Sequence, residues 1–98
     1  MKMRILRKKM ADGRVSLGLD GEFSIYIVKE LRNVLMKEIA GSPDLELNLA
    51  SVNEMDTAGF QLLVYLKKEA ARRGGKLVVG GASEVVKSVL SMYGAQFA

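Results

Sequence analysis

The 98-residue sequence has no cysteine, no histidine, no tryptophan and a single proline. Each absence excludes something. Without cysteine there is no disulfide and no thiolate zinc site, and without histidine there is no Ser-His-Asp triad and no imidazole general base. Long hydrophobic runs are missing too. Stretches such as Leu62 to Leu66 fall far short of the ~18 residues that suggest a membrane-spanning helix, and no apolar core follows the basic N-terminal residues as a secretory signal requires. The chain is therefore expected to be cytoplasmic, with no integral membrane segment. Aromatic residues are sparse, at three Phe and three Tyr. None interleaves with the basic groups Lys2, Arg4, Arg7, Lys8 and Lys9 or Lys67, Lys68, Arg72, Arg73 and Lys76, so the stacking platform of a nucleic-acid binder is lacking. The net charge of +4 instead reads as a charged edge strand that discourages edge-to-edge pairing, and nucleic acid is not expected as a partner.

What is present is a hydrophobic content of 49%, enough for one compact domain over residues 1–98 that buries somewhat over ~60% of its unfolded surface. Residues 3–9 and 14–20 read as two strands joined at Ala11-Asp12-Gly13, where Asp-Gly supplies a tight hairpin turn, and Gly21 ends the second run. Ser24 is placed to cap a helix whose apolar positions Val28, Leu31, Leu35 and Ile39 keep the helical period until Gly41-Ser42-Pro43. Leu45, Leu47 and Leu49 then alternate with Glu46 and Asn48 as a strand. A helix runs from Phe60 to Ala71 and ends at Arg72-Arg73-Gly74-Gly75. Lys76 to Gly80 reads as a strand covered on both faces, and Ser83 caps a last helix with Val86, Val89, Leu90 and Tyr93 on one face, stopped by Gly94. The order ββαβαβα, with right-handed crossovers, predicts an α/β domain with an antiparallel hairpin and a parallel βαβαβ continuation.

The segment Glu54-Met55-Asp56-Thr57-Ala58-Gly59-Phe60 joins a strand to a helix, where an α/β protein exposes its chemistry. Either Asp56 or Thr57 can cap that helix through a backbone N–H. The alternative role for Thr57 is phosphoacceptor, since the helix macrodipole and the first-turn N–H groups stabilise added negative charge. Glu54 and Asp56 oppose that charge, so a phosphate here would act through repulsion and bulk at a surface read by a partner. Ala58-Gly59 suits either close approach of a partner or tight packing on a strand. Glu54 with Asp56 lacks the pocket, metal set and substrate signature of a catalytic pair. Gly80-Gly81-Ala82-Ser83 lacks the Lys and spacing of a P-loop. No enzyme activity, metal or cofactor is expected.

Gly13 to Phe23, Leu45-Glu46-Leu47-Asn48-Leu49, Met55-Asp56-Thr57-Ala58-Gly59-Phe60 and Arg73-Gly74-Gly75-Lys76-Leu77 together resemble the STAS domain family of bacterial anti-sigma-factor antagonists. The resemblance implies a mixed sheet flanked by helices and regulation through a partner that recognises the start of the second helix. It implies Thr57 as the residue phosphorylated by an anti-sigma kinase, the unmodified form binding that kinase and freeing the sigma factor. The implied partner-binding set is Ser24, Asp56, Thr57, Ala58, Gly59 and Phe60. Asp-Thr-Ala-Gly followed by Phe60-Gln61-Leu62-Leu63 looks closer to members that accompany chemotaxis kinases, or to cytoplasmic accessory subunits that bind the ATPase of a phospholipid-transport ABC system. These set two expectations: a phosphorylation-switched signalling module, or a constitutive subunit of a transport ATPase.

Overall fold

The computed structural model describes residues 3–42 and 44–93. The elements are β1 (Met3–Lys9), β2 (Val15–Phe23), α1 (Val28–Gly41), β3 (Asp44–Met55), α2 (Thr57–Arg72), β4 (Lys76–Ala82) and α3 (Glu84–Met92). They follow the expected ββαβαβα order and build a four-stranded sheet in the order β1-β2-β3-β4. β1 pairs antiparallel with β2, and β2–β3 and β3–β4 are parallel.

The β1–β2 turn forms because Gly13 adopts φ 90°, a conformation a side chain disfavours. Its N–H donates to Met10 O at 3.0 Å, and the Asp12 carboxylate accepts from Arg14 N at 3.1 Å. Gly13 is the residue of this loop that takes the positive φ, so Ala11-Asp12-Gly13 is a three-residue loop built of a turn plus a left-handed glycine. β2 does not end at Gly21. That residue, at φ 128°, absorbs a register shift, and Glu22 and Phe23 go on to pair with Glu54 and Met55.

Alternation along the strands sorts the two faces of the sheet. Val15, Leu17, Leu19, Leu45, Leu47 and Leu49 are buried, and they share one core with Leu31, Leu35 and Ile39 of α1, Leu62, Leu63 and Leu66 of α2 and Val86 of α3. The helices thus cover one face. The other is polar: Ser16 donates to Glu46 at 3.1 Å across β2 and β3, and Asn48 and Ala50 are exposed. The expectation that β4 is covered on both faces is corrected accordingly. Leu77 is buried, whereas Val78 and Val79 are only half-buried. Burial of each fully enclosed Leu contributes on the order of 2 kcal/mol, which makes the single-faced core the main source of stability.

Two further boundaries differ from the sequence pattern. β3 continues well past Leu49 to Met55 because its second half pairs with residues 20–23 of β2. Helix α1 begins later than Ser24 suggests. Ser24 O accepts from Ile27 N and Val28 N, closing a turn, and Ile27 occupies the N-cap position with no side-chain cap. Ser83 does cap α3, accepting from Val86 N at 3.3 Å. Gly94, the expected stop of that helix, lies outside the described residues.

Candidate functional site

The end of β3 delivers Asp56 and Thr57 to the rim of the sheet, beside the turn that follows β2. Asp56 is the N-cap of α2: its Oδ1 accepts from Gly59 N at 3.0 Å. Its Oδ2 accepts from Ile25 N at 2.9 Å. One carboxylate therefore caps α2 and ties the Ser24–Ile27 turn to it, while Asp56 N donates to Phe23 O at 3.4 Å. With a backbone donor on each oxygen, Asp56 acts as a structural acceptor that joins the two segments.

Because Asp56 takes the cap, Thr57 is left as the first helical residue with its hydroxyl outside the capping network. Thr57 is exposed. Its Oγ1 lies 2.7 Å from the Tyr93 hydroxyl, in a hydrogen bond that either atom can donate. The Tyr93 ring stacks on Phe60 with centroids 4.8 Å apart and an interplanar angle of 24°. Phe60, half-buried, faces the end of α3. The helical period groups Tyr93 with Val86, Val89 and Leu90, yet the residue follows α3 as the C-cap and is exposed, and nothing local in the sequence signals that its hydroxyl reaches Thr57.

Gly59 is buried, and its position answers the ambiguity of the Ala58-Gly59 pair. A Cβ there would lie 2.5 Å from Phe23 O and 2.7 Å from Phe23 Cδ1. The glycine lets the first turn of α2 sit directly on the end of β2. Ala58 stays half-buried beside Thr57 and opens onto the space between α1 and α2.

Ser24 is buried and donates its hydroxyl to the Glu22 carboxylate. It lines a cup of about 310 Å³ with Glu22, Tyr26, Glu54, Met55 and Asp56, so acidic groups surround one side of the Thr57 helix start. Across the same rim, Ile25, Tyr26, Met92 and Tyr93 are exposed apolar or aromatic groups, Tyr26 most of all at 84%. Among the described residues no cluster of three His, Cys, Asp or Glu side chains is set to hold a metal. The Gly80-Gly81-Ala82 stretch belongs to β4, under the Glu46 and Asn48 side chains, and Ser83 uses its hydroxyl as a cap. That segment forms no phosphate cradle. Among the described residues no helix is long and apolar enough to cross a membrane.

The mixed sheet with its helices on one face and an exposed hydroxyl at the start of α2 defines a class of small α/β domains. The chain belongs to the STAS domain family: residues 6–96 match the family described as "Mlab, STAS domain". An anti-sigma-B factor antagonist of Staphylococcus epidermidis is 33% identical over 75 residues, covering 76% of this chain and 69% of that protein. An anti-sigma factor antagonist from Mycobacterium paratuberculosis superposes with a TM-score of 0.81 at 18% identity, over 94% of this chain and 78% of that one. The Bacillus cell fate determinant SpoIIAA in its phosphorylated form gives 0.72 at 18% identity, over 93% and 84%. At such identities the structural likeness establishes the fold.

Proposed function

We propose that this chain is a non-enzymatic regulatory module that binds a protein kinase of the anti-sigma or chemotaxis type through the start of α2, and that phosphorylation of Thr57 switches the binding off. The observation that carries this reading is the division of labour at the helix start. Asp56 supplies the cap, so the exposed Thr57 hydroxyl is not needed to hold α2 in place. A phosphate on Thr57 meets the first-turn N–H groups and the positive end of the macrodipole, which supply stabilisation on one side. On the other side stand the carboxylates of the acidic cup, which repel about −1.5 to −2 added charges. The phosphate also displaces the Tyr93 hydroxyl from its bond.

The partner-facing set is Thr57, Ala58 and Phe60 on α2 with the exposed side chains of the Ser24–Ile27 turn, while Asp56, Gly59 and Ser24 hold that surface in shape. The relative named as an anti-sigma-B factor antagonist supports a kinase partner of the anti-sigma class. The test is calorimetric binding of wild type, Thr57→Ala and Thr57→Glu to purified anti-sigma-type and chemotaxis-type kinases. Switching predicts binding by wild type and Thr57→Ala and its loss with Thr57→Glu. Equal binding of all three to a kinase, or binding of none to either class, contradicts the proposal.

A further inference from the structure

Beside the Thr57 site, α1 and α2 part to leave a groove of about 390 Å³ whose lining is almost wholly apolar. Val28, Ala58, Leu62 and Tyr65 form its floor, and Lys29 and Arg32 stand along the α1 edge. Among the described residues no acidic side chain lines it. The Arg32 guanidinium is held in position, 4.8 Å from the Tyr65 ring centroid and donating to the Tyr65 hydroxyl at 3.0 Å. Among the described residues, no carboxylate pairs with Lys29 or Arg32, whereas Arg7, Arg14, Arg72, Arg73 and Lys87 each have an acidic partner.

From this charge pattern we infer that the α1–α2 groove is a docking site for an acidic amphipathic helix of a protein partner, its apolar face on Val28, Ala58, Leu62 and Tyr65 and its carboxylates on Lys29 and Arg32. Two adjacent helices offer ridges between which a third can lay its own, and the groove accepts anchors at the helical spacing i, i+3 or i+4, and i+7. The ordered Arg32 fork suits a carboxylate, because its rotamer is fixed before binding. A concave trough does not suit a bilayer, into which a helix inserts a projecting apolar face. The groove goes beyond the Thr57 reading, since neither its lining nor its charges depend on modification of that residue.

The experiment is a selection of a displayed library of short helical peptides on the intact domain, followed by mapping of purified winners by amide chemical shifts. Winners are expected to be acidic, with apolar residues at helical spacing, and to move Val28, Ala58 and Tyr65. Two charge variants on exposed positions, Lys29→Glu/Arg32→Glu and Gln61→Glu, should each weaken binding by about tenfold or more through like-charge repulsion. Thr57→Ala should leave it within about twofold, since Thr57 does not line the groove, whereas the Thr57 switch is read separately, by kinase binding and its loss with Thr57→Glu. Enrichment of neutral or basic peptides, acidic winners indifferent to both charge variants, or no enrichment would overturn the inference. So would groove resonances that respond to anionic phosphatidylglycerol vesicles and not to peptides.

Discussion

At the scale of single residues, Asp56 and Thr57 are neighbours in different settings, the first capping α2 and the second exposed. Asp56→Ala removes the α2 cap and the Ile25 anchor together and is expected to cost about 2 kcal/mol in urea denaturation. Thr57→Ala removes an exposed hydroxyl with one surface bond and should stay within about 0.5 kcal/mol. If the two substitutions destabilise equally, Thr57 shares the structural duty and is less available as a switch. Gly59→Ala is a different kind of lesion. Its Cβ would meet backbone, the Phe23 carbonyl, which has little room to move, so a loss of about 1–3 kcal/mol is expected from overpacking, read by the same denaturation series.

Asp56-Thr57 was legible as a helix start because capping chemistry is local, and the same holds for Ser83 ahead of α3. What escaped was decided by residues distant in sequence. Ser24 carried the same capping signal as Ser83, yet its hydroxyl turns to Glu22 and the helix starts after Ile27, because Asp56 holds the intervening turn by Ile25 N. Tyr93 as the partner of Thr57 is likewise a tertiary fact, separated by most of α2, β4 and α3.

At the scale of elements, helices were more legible than strand lengths. The α2 pattern predicted Phe60 to Ala71 plus a capped first turn, close to the observed Thr57–Arg72. Strand β3 was half hidden. Of Ala50 to Glu54 only Val52 is buried, and the stretch is held extended by pairing with Asp20 to Phe23, which no local preference signals. The open face of the sheet was visible in the Glu46 and Asn48 alternation but masked in β4 by consecutive valines.

The C-terminal turn of α2 offers a pH test. Hydrogen bonds from Arg72 hold the Glu69 carboxyl below its ordinary value of 4.5, with the charges of Arg72 and Arg73 adding to the effect. A carboxyl lowered in the folded state contributes stability that is complete above the ordinary carboxylate range and is lost as pH falls through the folded value. The gap in urea midpoint between wild type and Glu69→Gln is therefore expected near neutral pH and should narrow and then close as pH falls below the ordinary value of 4.5. A gap that widens on acidification contradicts this role. Its size will be modest, as the pair is solvent-exposed.

At the scale of the whole molecule, a sheet covered by helices on one face concentrates burial in a single core, and under the proposed function recognition falls to the rim. Leu47, fully buried at the centre of the sheet, should cost about 2–5 kcal/mol on truncation to Ala. The rim carries the exposed Thr57, the aromatic Tyr26 and Tyr93, and the acidic cup, on a frame pinned by Asp56 and Gly59. Family membership agrees with this arrangement, and the regulatory reading depends on whether the rim hydroxyl is chemically marked.

The most direct measurement is intact-mass analysis with peptide mapping after incubation of the chain with ATP and each candidate kinase, run alongside Thr57→Ser and Thr57→Ala. The account predicts one added phosphate that maps to Thr57, retained by Thr57→Ser and absent from Thr57→Ala. A phosphate mapping to another residue, or none in the presence of a kinase that binds the domain, would contradict it.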